Sequence, residues 1–170
     1  MTKKTTDHFN IIVIGAGPGG YVAAIRASQL GMKTAIFEKA DMGGICLNWG
    51  CIPTKAMLRS SEMYAHMQNA EHYGLSAKPK FDLSAIVKRS RDIAAKLSGG
   101  IDFLMKKNKV TVIKAAASLK ASDGSAPAVT TGDATYSADH IILATGARAR
   151  TIESIGAVPD SKTIWTSREA

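Results

Sequence analysis

Short apolar runs separated by polar and glycine-rich breaks divide the chain into readable elements. Phe9 to Ile14 is an apolar run of the kind that marks a strand buried on both faces. Tyr21, Val22, Ile25 and Leu30 then fall on one side of a predicted helix that Gly31 stops. A second strand is predicted over Thr34 to Phe37 and ends at Glu38. Pro53 to about Tyr73 reads as a helix with Met57, Tyr64 and Met67 in its packed stripe. Gly74 to Lys80 reads as a linker, and a long helix starts at Asp82 or Leu83. Its apolar positions are Leu83, Ile86, Val87, Ile93, Leu97, Ile101 and Leu104, and Gly99-Gly100 inside it predicts a bend or break.

The last third changes character. Val110 to Ile113 is a short strand, followed by a predicted antiparallel meander of Ala116–Lys120, Ala128–Thr131 and Thr135–Ala138. Its turns fall at Ser122-Asp123-Gly124-Ser125 and Thr131-Gly132-Asp133. His140 to Ala144 reads as a further buried strand leading into Thr145-Gly146, and Ala147 to Ala170 shows no periodicity. The expected fold class is α/β: a parallel sheet with helices plus a three-stranded meander. Residues 1–8 read as a frayed, disordered tail, 9–150 as one domain and 151–170 as a connecting segment.

The first strand–helix–strand unit encloses Gly15-Ala16-Gly17-Pro18-Gly19-Gly20. In that context the glycine pattern signals a Rossmann-like dinucleotide site. Gly15 makes the tight turn, Gly17 lets the backbone approach a pyrophosphate, and Gly20 lets the helix pack close to the strand. Pro18 and Gly19 complete the loop, and the helix N-terminus receives the phosphates. Glu38 is placed to accept hydrogen bonds from ribose hydroxyls. The pattern does not separate FAD from NAD.

After a turn through Gly43-Gly44, the chain enters Cys46-Leu47-Asn48-Trp49-Gly50-Cys51-Ile52-Pro53-Thr54-Lys55, which holds both cysteines. In a regular helix an i, i+5 pair is separated by about 7.5 Å along the axis. That exceeds the roughly 6.8 Å Cα limit of an unstrained disulfide. An irregular loop ending at a helix N-terminus is therefore expected, with Gly50 supplying the unusual dihedrals and Pro53 fitting the first helical turn. Such a terminus favours a thiolate, and Lys55 adds positive charge. The pair reads as a redox-active dithiol.

Composition narrows the alternatives. With 170 residues, 45% of them hydrophobic, the chain can bury a core, and two cysteines cannot make a secreted disulfide scaffold. His8, His66, His72 and His140 have no ligand spacing with the cysteines, so no metal site is expected. The net charge of +8 reads as a solvated basic face rather than a nucleic-acid surface, because the basic residues between Lys88 and Lys109 lack aromatic interleaving. No apolar run approaches about 18 residues, and Met1 to Asn10 has no apolar signal core. No membrane partner and a cytoplasmic location are the expectation.

The order of these motifs, from the glycine loop and ribose acid through Gly-Gly-x-Cys-x4-Cys-x-Pro-x-Lys and the meander to Ala-Thr-Gly, resembles the N-terminal part of the FAD-dependent pyridine nucleotide–disulfide oxidoreductases. Within them, the cysteine stretch is most similar to that of the dihydrolipoamide dehydrogenases, as are Val87 to Arg91 and Phe103 to Val110. The resemblance implies that residues 9–150 form an FAD-binding domain. It implies that Cys46 exchanges with dihydrolipoamide, that Cys51 is the thiolate against the flavin, and that Lys55 sits near the flavin's reactive edge. Electrons would pass from dihydrolipoamide through a Cys46–Cys51 disulfide and FAD to NAD. FAD contacts would come from Gly15, Gly17, Pro18, Gly19, Gly20, Glu38, Lys39, Gly43, Gly44, Cys46, Lys55, Ala117, Thr145 and Gly146. Partners would be the lipoyl group of a 2-oxo acid dehydrogenase complex and, in the full-length family, a second copy in a homodimer.

The chain departs from that family in length, and the NAD-binding and C-terminal domains and the His–Glu base lie outside it. Ala149 stands where relatives usually have proline, and Thr151 to Gly156 drifts from their usual loop. A fragment with little lipoamide turnover of its own is expected. The competing readings are a non-catalytic FAD-binding fragment and a mercuric or glutathione-type reductase, the latter disfavoured by Leu47-Asn48 and Trp49.

Overall fold

The computed structural model describes residues 5–120, 126–132 and 134–169. The chain divides into two compact units: Met1–Ile45 with Ser98–Arg148, and Cys46–Leu97 with Ala149–Ala170.

The first unit is built on one mixed six-stranded sheet. Its strands are β1 (Thr5–Ile14), β2 (Thr34–Phe37), β3 (Thr111–Ile113), β4 (Ser118–Leu119), β5 (Ala128–Thr131) and β6 (Ala134–Leu143). They lie in the order β3-β2-β1-β6-β5-β4. The β3-β2-β1-β6 half is parallel, and β6-β5-β4 is the antiparallel meander. Phe9, Ile12, Ile14, Ala35, Phe37, Val129 and Ala138 form its buried core. Tyr136 meets Phe37 edge-on at 5.2 Å between ring centroids, so the core continues from the parallel half into the meander.

Several elements differ from the sequence expectation, two of them strands of the parallel half. β1 begins at Thr5, ahead of the apolar run, so residues 5–8 are strand rather than tail, while residues 1–4 lie outside the described residues. The two strands expected over Thr135–Ala138 and His140–Ala144 are one strand, β6. Asp139 does not break it, because its carboxylate accepts hydrogen bonds from Asn10 Nδ2 at 2.9 Å and His8 Nε2 at 3.1 Å on neighbouring β1. The Ser122-Asp123-Gly124-Ser125 turn and Asp133 lie outside the described residues.

Helix α1 (Pro18–Gln29) buries Gly20, Ala24 and Ala27, not the large residues of the expected stripe. Val22 and Leu30 are exposed. At Gly20 the reason is clearance, because a Cβ there would collide with the Gly15 carbonyl oxygen.

Helix α2 (Gly44–Trp49) and helix α3 (Cys51–Gln68) follow, and a short 3-10 turn, Ala70–Tyr73, ends the helical stretch. α3 buries Pro53 and Ala56, whereas Met67 of the expected stripe is exposed. Helix α4 (Leu83–Lys107) runs without a break through Gly99 and Gly100. Ser90 is fully buried on α4, with its hydroxyl donating to the Val87 carbonyl at 2.7 Å. Leu83 and Leu97 stay exposed. In the second unit, Arg89 of α4 donates to the Ala56 carbonyl of α3 at 2.9 Å. Tyr64 meets Phe81 edge-on at 5.6 Å.

Candidate nucleotide cradle and dithiol

The cradle lies in the first unit, where β1 turns into α1. Gly15 has φ +101°, and a Cβ there would collide with the Ala144 carbonyl oxygen. A Cβ at Gly20 would collide with the Gly15 carbonyl oxygen, so both positions exclude a side chain on geometry. Gly17 is different: it is extended, and a Cβ there would meet no described atom within 4 Å. It is the N-cap of α1, Pro18 follows in the first turn, and no side chain caps the helix. Its first-turn N–H groups are thus open to an anion, with the helix dipole favouring negative charge.

Gly43 and Gly44 fold back onto this loop. The Gly43 N–H donates to the Ala16 carbonyl at 2.9 Å, and a Cβ at Gly44 would press on Gly17 Cα at 2.8 Å.

At the end of β2 the half-buried Glu38 carboxylate is held from both sides. Oε2 accepts from the Ala16 N–H at 2.8 Å and Oε1 from the Ala40 N–H at 2.8 Å. Each oxygen keeps a lone pair for a further donor. Gly15, Glu38, Lys39, Ala117 and Thr145 bound a common cavity of about 180 Å³. Pro18, Gly19 and Gly146 do not line it; Gly146 is an exposed residue with φ +71°. Ala115 and Ala116 line the cavity and were missed in the sequence, which placed a strand from Ala116. Only Ser118–Leu119 is strand, and the small residues before it leave the cavity its room.

The dithiol lies in the second unit. Cys46 is in α2 and Cys51 opens α3, so the expected irregular loop contracts to a break at Gly50, the α3 N-cap with φ −129° and ψ −113°. Pro53 is buried in the first turn of α3, and Lys55 is exposed one turn into it. Both cysteines are free thiols; Cys46 is half-buried and Cys51 exposed. The hydrogen bond to the Cys51 side chain pushes the Cys46 thiol above its ordinary range, and burial acts in the same direction. The Cys51 backbone N–H and the Lys55 ammonium oppose it. The thiolate-favouring terminus expected from sequence is the start of α3, where Cys51 stands; at Cys46, in α2, the hydrogen bond and burial favour the protonated thiol.

Among the described residues, no group of three or more His, Cys, Asp or Glu side chains could hold a metal ion. No helix among them is long and apolar enough to cross a membrane. A separate cavity of about 470 Å³ lies within the second unit, with Arg59, Tyr64, Phe81 and Arg89 in its wall. No sequence motif points to it.

A family model described as pyridine nucleotide-disulphide oxidoreductase matches residues 9–170. A dihydrolipoyl dehydrogenase of Zymomonas mobilis is 52% identical over 166 residues, covering 96% of this chain and 35% of that protein. A dihydrolipoyl dehydrogenase of Rhizobium etli is 50% identical over 183 residues, covering 96% of this chain and 37% of that protein. The crystal structure of LpdA from Mycobacterium tuberculosis aligns with a TM-score of 0.82 at 27% identity, covering 96% of this chain and 36% of that one. The chain therefore spans little more than a third of the length of these relatives.

Proposed function

Since the chain belongs to the pyridine nucleotide-disulphide oxidoreductases, we propose that it is the FAD- and dithiol-bearing part of a dihydrolipoamide dehydrogenase. The observation that carries this reading is the thiol pair itself. Cys46 in α2 and Cys51 at the start of α3 flank a one-residue helix break at Gly50, and Lys55 stands one turn into α3 and acts electrostatically on Cys46. That is the arrangement a dithiol needs in order to close to a disulfide and reopen. Several relatives of high identity carry the name dihydrolipoyl dehydrogenase.

The cradle fits FAD. The uncapped N-terminus of α1, with open space at Gly17, suits the pyrophosphate. Glu38 suits the ribose hydroxyls, and the cavity between Lys39, Ala117 and Thr145 suits the rest of the adenosine. Gly43, Gly44 and Gly146 complete the set of contacts. Bound there, the flavin would supply the two-electron relay to NAD.

The chain's own residues perform the sulfur chemistry. The disulfide form of Cys46–Cys51 accepts attack by a thiolate of dihydrolipoamide at Cys46, with Cys51 as the leaving thiolate. The second substrate thiol then attacks the sulfur joined to Cys46, releasing lipoamide and leaving the protein dithiol. Lys55 and the Cys51 N–H lower the cost of negative charge at Cys46, while the shared proton opposes it. NAD, the lipoyl group of a 2-oxo acid dehydrogenase complex, a homodimeric parent and a cytoplasmic setting belong to the same proposal.

The test is turnover by the full-length protein. Expected are bound FAD and NAD reduction that depends on dihydrolipoamide and is lost in Cys46→Ser and Cys51→Ser. A protein with full flavin content that ignores dihydrolipoamide but reduces glutathione disulfide or mercuric ion would refute the assignment.

A further inference from the structure

Trp49 is the last residue of α2 and stands between the two cysteines. The Arg168 guanidinium lies over its indole ring, 5.0 Å from the centroid. Arg168 comes from the stretch in which the sequence shows no periodicity, yet its backbone is tightly held. The Thr166 N–H donates to Glu169 Oε2 at 2.7 Å, and the Thr166 hydroxyl bonds to the same oxygen. The Arg168 N–H donates to Thr166 Oγ1 at 3.2 Å, and the Glu169 N–H donates to the Thr166 carbonyl at 3.2 Å. Glu169 thus reaches back to the Thr166 N–H as one half of a capping box does, and Thr166 Oγ1 holds the N–H of Arg168. A few residues earlier, Asp160 Oδ1 gathers the N–H groups of Lys162, Thr163 and Ile164 at 2.9, 2.7 and 2.9 Å. Two fixed turns thus present Arg168 to the ring.

Tryptophan is the best aromatic partner for a cation, and both residues lie in the second unit with the dithiol. Cys46 and Cys51 flank the one-residue break at Gly50, and Trp49 is the residue beside that break, so its position bears on how the two thiols meet. Holding Trp49 removes conformations that only the open dithiol could use. The effective concentration of one thiol toward the other rises accordingly.

We propose that Arg168 is a positioning residue for the Cys46–Cys51 pair, clamping Trp49 and thereby favouring the disulfide in exchange with external thiols. The inference rests on the dithiol reading above and extends it to a residue outside the cysteine motif. With glutathione disulfide as oxidant, the Cys46 thiolate attacks one glutathione sulfur, breaking the S–S bond and releasing one glutathione thiolate. The Cys51 thiolate then attacks the Cys46 sulfur and expels the second. The two thiol protons pass to the two glutathiones, and the protein pair loses the two electrons that glutathione disulfide gains.

The experiment equilibrates the intact protein in glutathione buffers, quenches with acid, alkylates free thiols and weighs the peptide carrying both cysteines. Arg168→Met is expected to lower the equilibrium constant for disulfide closure about threefold. That corresponds to about 14 mV for a two-electron couple. Trp49→Leu should lower it at least as far, the double variant no further, and Arg168→Lys should keep most of the wild-type value. An unchanged constant in Arg168→Met, with the wild type closing normally, overturns the clamp alone. So does a further loss when Arg168→Met is added to Trp49→Leu. A wild type that never closes a Cys46–Cys51 disulfide overturns the dithiol reading and the clamp together.

Discussion

Glu38 Oε2 accepts a hydrogen bond from the Ala16 backbone N–H at 2.8 Å, tying the end of β2 to the turn that precedes α1. The acid is therefore part of the cradle's frame as well as the ribose ligand proposed above. Glu38→Ala is expected to weaken FAD binding by roughly ten- to a hundredfold, the scale of losing hydrogen bonds to a charged group. Flavin fluorescence titration reads the change, and undiminished affinity would remove Glu38 from the site.

Gly17 and Gly20 separate binding from folding. A methyl group at Gly20 meets the Gly15 carbonyl, so Gly20→Ala should destabilise the protein by about 1–3 kcal/mol, as overpacking does. Gly17 has an ordinary extended backbone with open space beside it, so Gly17→Ala should leave the urea midpoint nearly unchanged. The same variant should weaken FAD at least about tenfold by filling the space at an uncapped helix end. Equal effects of both substitutions on stability would contradict this geometry.

The Cys46 thiol sits above its ordinary range because of Cys51. Its alkylation by iodoacetamide should therefore rise at a higher pH than for a free cysteine, near pH 8.5. Cys51→Ala removes the hydrogen-bonding sulfur and should bring the midpoint down. Lys55→Met removes a favourable charge and should move it up. A midpoint that ignores Cys51→Ala would show that the sulfurs do not share a proton.

Hydrogen bonds from Asn10 and His8 hold the Asp139 carboxyl below its usual value. A depressed folded-state pKa gives stability that is fully present above the unfolded value, about 3.9, and lost as pH falls through the lower folded value. Wild type should thus exceed Asp139→Asn in urea midpoint at pH 6, and the gap should close as pH drops below about 4. A gap independent of pH would mean that the contacts do not need the charge.

Spacing made the cradle legible. Gly15, Gly20 and Glu38 stand where the glycine pattern and the strand-end acid place them, because backbone clearance and helix position depend directly on residue count. Burial along α1 was not legible, since Ala24 and Ala27 carry little hydrophobic signal while Val22 and Leu30 carry much. The union of two expected strands in β6 depends on side chains from β1 that neutralise the break Asp139 would otherwise make. The contact of Arg168 with Trp49 joins distant parts of the chain, and no local pattern announces it.

The length of β6 sets how damage spreads. A single strand serves as the antiparallel partner of β5 at its start and the parallel partner of β1 along its course, and it ends just before Thr145 at the cavity. The meander and the nucleotide strands are therefore expected to open as one cooperative unit, with hydrogen exchange at Val129 and at Ile142 reporting the same event. A lesion at the outer hairpin should therefore be read out at the cavity's edge, as weaker nucleotide affinity.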